Sequence, residues 1–596
     1  MKSMRSLVLT ALAVLPALPA PAADVIDSPM YRDPELALPT VVRTFPAGLA
    51  DRWLAALDRP EADLQAQAAA AVALAHGRGM TGLAPAVGPL TRLLESPSPA
   101  VRAAAARALV ALDARDAAPT LFKLASTDPA ARDTVEPALA KWDYRPARAV
   151  WLERLNDPPP FRRAHVLAMQ GLAAVKEEKA ADPLRAIALS DRHAGPHRIE
   201  AARALGVIRP AGSEADAEKL MGDSSPRGIS TRLAAAELLR HHSGDAAVKL
   251  LQTLARDPEP AVAAAALARL VEIDPKLVVP LLPTVFASPG ADVRSLGVEA
   301  LNKLPSADNA KLLGDRLHDS HPEVRQRARR GLRTYADRPG LRDVVIAEAT
   351  RALATNDWRA QEPAALLVGQ LGHRPAARRL VELLQADRPE PAIASAWALR
   401  VLAVPDTLPA VLDHVRLRHG QLKGNGNNAG LRGFTPEQLD AQLTQLVQFF
   451  GASKFKPADG ELRSLFPRFL RPGMPPAFNP VGPETRAAAI WALGHLHAGD
   501  PAAELVGPIE ERLTGDGAMG RDDERVRRMA AIALARLKAK ASVAAVRTDA
   551  GDRPTLDPVA LACRWAVAQL TGEPLAAPGV YDLPQRDWFL VPAGGR

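Results

Sequence analysis

Three stretches in the middle of the chain, Leu251–Leu270, Leu282–Leu301 and Leu313–Leu332, superimpose position by position. Val262, Val293 and Val324 align at a step of 31. Ala266, Gly297 and Ala328 follow four residues on, and Leu270, Leu301 and Leu332 eight residues on. Positions 0, 4 and 8 share one face of an α-helix. Each stretch therefore predicts a helix with an apolar stripe and a small residue at its centre, where a neighbouring helix can come close. Turns rich in Asp, Pro and Ser precede the stripe: Ser96-Pro97-Ser98-Pro99, Asp257-Pro258-Glu259-Pro260 and Asp319-Ser320-His321-Pro322. Such residues stop one helix and cap the next. A second apolar stripe lies upstream of each turn, as in Val248, Leu251 and Leu254, or Leu90, Leu93 and Leu94. The unit is a helix, a turn and a helix.

The template recurs at Val101-Arg102, His197-Arg198, Thr231-Arg232, Thr485-Arg486 and Val526-Arg527, each with Ala four and Leu eight residues after the first position. Degenerate units are expected in the gaps, three steps of about 32 between 101 and 197 and five between 324 and 485. The Asp/Pro turn followed by a Val-Arg helix start resembles the HEAT repeat family, and the short step resembles the HEAT-like repeats of bacterial proteins, the bilin lyases among them. The resemblance covers most of residues 61–550. It implies an all-α superhelical solenoid of stacked helix pairs, and it says almost nothing about function, because such arrays serve mainly as scaffolds and adaptors. It further implies that Arg102, Arg198, Arg232, Arg294, Arg325, Arg486 and Arg527 form an internal ladder with turn aspartates such as Asp257 and Asp319, and not a binding stripe.

Between about 416 and 483 the pattern breaks, and an irregular insert is expected. Gly424-Asn425-Gly426-Asn427-Asn428-Ala429-Gly430 reads as a loop, since no strand precedes it and no Lys-Ser/Thr follows. Thr435-Pro436-Glu437 then caps a helix with Leu439, Leu443, Leu446, Val447 and Phe450 on one face. Seven of the twelve Phe fall here, at 434, 449, 450, 455, 466, 469 and 478. Basic residues are interleaved, which makes Lys454, Phe455, Lys456, Phe466, Arg468, Phe469 and Arg471 the candidate partner-binding residues. The competing expectation is a local core that seals the insert to the array. Residues 23–60 are expected to form an extended cap on the first units, and 61–415 and 484–550 the repeats. Residues 551–596 are expected to supply a capping helix and a tail, with Tyr581, Trp588 and Phe589 laid across the final repeat.

Composition adds a compartment. Lys2 and Arg5, the apolar run Leu7–Leu18 and the small-residue site Ala20-Pro21-Ala22 read as a cleaved secretory signal over residues 1–22, too short to span a bilayer. The expectation is export to the periplasm or the cell exterior, without a transmembrane segment. Cys563 is the only cysteine, so the chain makes no internal disulfide and offers no thiolate metal site or haem attachment. The net charge is +8, or +6 once Lys2 and Arg5 leave, a mild bias that permits an anionic lipid or polysaccharide surface. Nucleic acid is a poor partner for an exported chain.

A search for chemistry comes up thin. None of the 13 His is followed by Glu, so the ligand dipeptides of the iron hydroxylase built on HEAT-like repeats have no counterpart, and H-E-x-x-H is absent with them. No G-x-S-x-G elbow or P-loop occurs. His193 and His197 are separated by Gly195-Pro196, while His241-His242 and the pair His495, His497 point to different helix faces. The sequence predicts a non-catalytic scaffold that binds a protein partner and carries no cofactor; the alternatives are a peripheral binder of anionic lipid or polysaccharide through the basic-aromatic insert, and an enzyme whose site follows no recognised motif.

Overall fold

The computed structural model describes residues 26–156, 162–222, 228–424, 433–467, 480–515 and 520–590. Among them are thirty α-helices, arranged as consecutive pairs. The chain forms two compact units, each assembled from two separate stretches. One joins residues 26–38 to 342–578, the other 39–341 to 579–590.

In the 39–341 unit nine pairs follow one another, and the second helix of each packs on the second helix of the next, from Ala62–Gly77 through Pro260–Ile273 and Ala291–Asn302 to Pro322–Tyr335. The first helices, such as Asp245–Leu254 and Ala307–Arg316, lie against their own partners. The repeated stripe is the core: Val262, Val293, Val324, Ala266, Ala328, Leu270, Leu301 and Leu332 are all buried. At Gly297 the spacing is so tight that a Cβ would stand 2.7 Å from Val285 Cγ1. The two units expected between 101 and 197 are present as the second helices Arg132–Lys141 and Arg162–Ala174.

The Arg positions do two jobs. Arg294 Nη1 donates to the Ser288 and Pro289 carbonyls of its own turn, at 2.9 and 3.0 Å, closing that turn onto the helix. Its Nε and Nη2 donate to both carboxylate oxygens of Asp319, at 2.8 Å each, in the turn of the following unit. Arg102–Asp128 (2.9 Å), Arg232–Asp257 (2.6 Å), Arg486–Asp522 (2.7 Å) and Arg527–Asp549 (2.9 Å) repeat the link. Arg325 donates to the Asp319 and Ser320 carbonyls, and Arg198 to the Ala188 carbonyl. Burial pushes the Asp319 carboxyl up, but Arg294 and the His321 N–H outweigh it and hold the group below the usual carboxylate range.

Six pairs make up residues 342–578. Their second helices are Trp358–Gln370, Pro389–Leu402, Pro436–Ala452, Pro483–Leu496, Glu524–Arg536 and Pro558–Thr571, again packed in sequence. The region expected to be an insert is thus part of the row. Three units, not four, fill the space between 324 and 485, because two of them are long: Pro389 to Pro436 and Pro436 to Pro483 are both 47 residues. The Gly/Asn loop lies outside the described residues. Thr435 caps its helix as expected, through a reciprocal capping box with Gln438. Close approach governs this row too. A Cβ on Gly369 would meet Trp397 Cζ3 at 2.5 Å, and one on Gly451 would meet Ala492 Cα at 2.7 Å.

Both chain ends depart from expectation. Residues 26–38 do not cap the first pair but lie with the 342–578 unit. The tail does not lie across the final repeat. Its strand β2 (Val580–Pro584) pairs in parallel with β1 (Thr40–Thr44), Thr40 opposite Val580 and Thr44 opposite Pro584. Trp588 then packs on Trp53 and Phe45, ring centroids 5.6 and 5.7 Å away, with the Arg78 guanidinium 5.0 Å from its ring. Trp53 Nε1 donates to the Phe589 carbonyl at 2.8 Å. In an array built of Ala and Leu, these aromatic rings find adequate packing partners mainly in one another.

Two outcomes follow from this packing. Arg294→Ala leaves the Asp319 carboxylate buried without its counter-charge, and a loss of about 3 kcal/mol is expected in denaturant unfolding near neutral pH. Because the Asp319 pKa is depressed in the fold, that stabilisation is present above the ordinary carboxylate range and disappears as pH falls through the folded value, so the deficit of the variant shrinks in acid. His414 works the other way. Burial first, and then Arg418, push its imidazole down to about 4, so between roughly pH 6.5 and that value only the unfolded chain takes up the proton. Stability falls with pH across that window, and a His414→Gln variant is expected to show a slope flatter by about 2–3 kcal/mol over the window in parallel denaturation series.

Candidate peptide-binding groove

Four successive second helices of the 342–578 unit each present a pair of polar or aromatic side chains on one face. These are Trp397 and Arg400 on Pro389–Leu402, Gln445 and Gln448 on Pro436–Ala452, Trp491 and His495 on Pro483–Leu496, and Arg528 and Arg536 on Glu524–Arg536. Spacings of three, four and eight keep each pair on one side of its helix. The glycines at 369 and 451 set how closely the row packs around the two indoles.

Residues 27–33 lie along these side chains. Arg400 Nη2 and Gln445 Nε2 each donate to the Asp27 carbonyl at 3.1 Å. Trp397 Nε1 donates to the Asp27 carboxylate at 3.1 Å, and Arg400 pairs with the same carboxylate. Gln448 receives the Met30 N–H at 3.3 Å and donates to Ser28 Oγ at 2.8 Å. Arg528 donates to the Tyr31 carbonyl at 2.7 Å and stands 5.2 Å from the centre of its ring, while Tyr31 Oη donates to Glu484 at 2.7 Å. Arg536 Nη2 donates to the Asp33 carbonyl at 3.0 Å and to its carboxylate at 2.6 Å. Trp491 Nε1 donates to the same carbonyl at 3.3 Å, and His495 Nε2 lies 2.8 Å from the carboxylate. The side chain of Met30 is fully buried beneath.

The electrostatics divide the site into a fixed part and a docked part. Burial pulls the guanidinium groups of Arg400, Arg528 and Arg536 below their usual range, opposed at Arg400 by Asp27 and at Arg536 by Asp33. Burial, then the Arg536 charge, lower His495 against the pull of Asp33. Burial pushes Asp27 up, but Trp397 and Arg400 outweigh it and hold the carboxyl low. Buried cations demand acceptors, and here a short segment with a 3-10 turn at Pro29–Arg32 supplies them through three backbone carbonyls and two carboxylates. The arrangement can hold polypeptide.

The residues singled out from sequence are placed elsewhere. Lys454 and Lys456 are exposed, Phe455 is half-buried against Phe450 with centroids 5.9 Å apart, and Phe466 is buried. Phe434, Phe449 and Phe450 are buried as well, so none of the described phenylalanines of this region is exposed. Arg468, Phe469 and Arg471 lie outside the described residues. The groove residues were missed, although a signal existed: three second helices open with Pro389, Pro436 and Pro483, and two of them carry Trp eight residues on.

Clusters with a catalytic look do not hold together. Ser464 Oγ and Glu461 both approach Nδ1 of His419, so the ring cannot relay a proton from one to the other. His497 pairs with Asp459 at 2.5 Å, and the rings of His165 and His197 are 5.6 Å apart. No group of three or more metal-ligating side chains occurs among the described residues. A cavity of about 380 Å³ is lined by Arg547, Arg564 and Glu573, but Arg547 pairs with Glu573 and Arg564 with the carbonyls of Ala550, Gly551 and Arg553. No helix among the described residues is long and apolar enough to cross a membrane.

Comparison with known proteins places the repeats. A family model described as HEAT repeats matches residues 50–140 and 247–333. No curated protein matches the chain. Among solved structures, a similar one is that in which Kap95p binding induces the switch loops of RanGDP to adopt the GTP-bound conformation, with 14% identity, 88% of this chain and 72% of that chain covered, and a TM-score of 0.48. Importin beta in an ammonium sulfate condition gives 14% identity, 87% and 72% coverage and 0.47. Yeast importin-beta (Kap95p) gives 14%, 88% and 72%, and 0.43. The chain is thus similar to HEAT repeats over the two matched stretches, and the period of the stripe and the stacked helix pairs give it an all-α solenoid fold.

Proposed function

We propose that the protein is an exported scaffold without chemistry of its own, which holds a partner protein on its helical rows and uses the 342–578 groove to grip a short polypeptide segment. One observation carries the reading: side chains from four successive second helices converge on backbone carbonyls of residues 27, 31 and 33. Backbone carbonyls are common to every protein, and a row that recognises them is suited to chain segments and poorly suited to small metabolites. The basic start, short apolar run and Ala20-Pro21-Ala22 of the sequence support export.

Two measurements test the proposal. N-terminal sequencing of the protein from fractionated cells of its source is expected to find a chain shortened by about 22 residues outside the cytoplasm; an uncleaved cytoplasmic chain overturns export. A photocrosslinking amino acid at Val401, an exposed position beside Arg400, is expected to trap a defined partner in the envelope fraction. The same group at Lys311, on the first helix Ala307–Arg316, is expected not to trap it. Equal adducts from both positions, or only adducts to the protein itself, would remove the groove as the grip.

A further inference from the structure

The reading above leaves open what kind of segment the groove takes and how it comes to be free, and the docked residues answer both. We propose, resting on that reading, that residues 26–33 are the groove's own intramolecular competitor, and that the partner displacing them offers a segment with a single 3-10 turn, flanked by two carboxylates six residues apart and carrying an unbranched apolar side chain between them, as Pro29–Arg32 does here.

The basis is the asymmetry of the ion pairs. In Arg400–Asp27 and Arg536–Asp33 the arginine side chains are 9% and 13% exposed, whereas the aspartates are 45% and 44% exposed. The cations are built into the row, and the acids are laid on it from outside. Any other occupant must meet the same two guanidinium groups, so it needs an acid at each end, and carboxylates are the groups that Arg recognises in a forked, two-bond geometry. Between the acids Met30, a flexible thioether chain, is buried, while the Gln448 amide accepts from the Met30 N–H and donates to the Ser28 hydroxyl.

The present occupant is held weakly enough to exchange. Of residues 26–38 only Met30 is buried, and Asp27, Arg32, Glu35, Ala37 and Leu38 are exposed. Its remaining hold is polar and half open to water, where single ion pairs contribute little. Covalent attachment compensates by giving the segment an effective concentration in the millimolar range. A free partner displaces it only by exceeding that advantage, which makes occupancy depend on partner concentration and keeps the groove closed to weak binders.

The test uses the full chain beginning at residue 23 and a fluorescent peptide with the sequence of residues 26–38. The Asp27→Ala/Asp33→Ala chain is expected to bind the peptide at least tenfold more tightly than the unmodified chain. Adding Arg400→Ala and Arg536→Ala should abolish that gain. A peptide with both aspartates replaced by Ala should bind the opened chain at least tenfold more weakly. If the two peptides bind the opened chain equally, acidic recognition is wrong while the grip on polypeptide stands. If neither binds, the grip itself falls, and if only anionic vesicles displace the segment, the partner is a lipid surface and the proposal is overturned. Hydrogen exchange on the unmodified chain guards against a misfolded variant: millimolar peptide should speed exchange at the amides of residues 27–33, and unchanged exchange overturns displacement.

Discussion

Everything in this molecule depends on how closely one second helix can approach the next. Small residues occupy the points of contact: at Gly369 and Gly451 even a methyl group would collide with the next second helix, and at Gly297 with the first helix of the same pair. Such contacts are short-ranged, so the array has no single centre, and each pair is stabilised by its own apolar stripe and by the two neighbours it touches. The Arg–Asp links act on the same scale. Each ties a helix start to the turn of the following unit, and so fixes the register between units that the apolar stripe alone leaves free to slide. A buried ion pair of this kind adds geometric definition more readily than net stability.

That close-packed row also explains why the groove can exist. Trp397 and Trp491 stand where the neighbouring second helix offers glycine, so their indole N–H groups reach the docked segment while their rings stay packed. Polar side chains above a rigid apolar floor are well suited to recognising a flexible strand of protein, because the floor does not move to meet it.

How much of this was legible in the sequence depended on distance along the chain. The stripe at Val262, Val293 and Val324 and the cap at Thr435 are local patterns, and they read correctly as helices and turns. The ladder read partly: the arginines and aspartates were evident, but which unit each arginine reaches is a matter of three-dimensional stacking. The region after residue 416 misled because its units are 47 residues long and rich in Phe, which hid a regular helix behind an irregular spacing. The groove was out of reach for a different reason. Its bonds join residues separated by 370 to 503 positions, as in Trp397 with Asp27 and Arg536 with Asp33, and no local periodicity encodes such a pairing.

The pairing of β1 with β2 carries a consequence for biogenesis. A ribosome makes Val580–Pro584 long after Thr40–Thr44. Until then the first strand has no hydrogen-bonding mate, and Trp53 has no Trp588 to cover it. Completion of the 39–341 unit therefore waits for all of the 342–578 residues to be made. A prematurely terminated product would keep an open strand edge and an uncovered indole, which are features that quality-control proteases and chaperones recognise in unfinished chains.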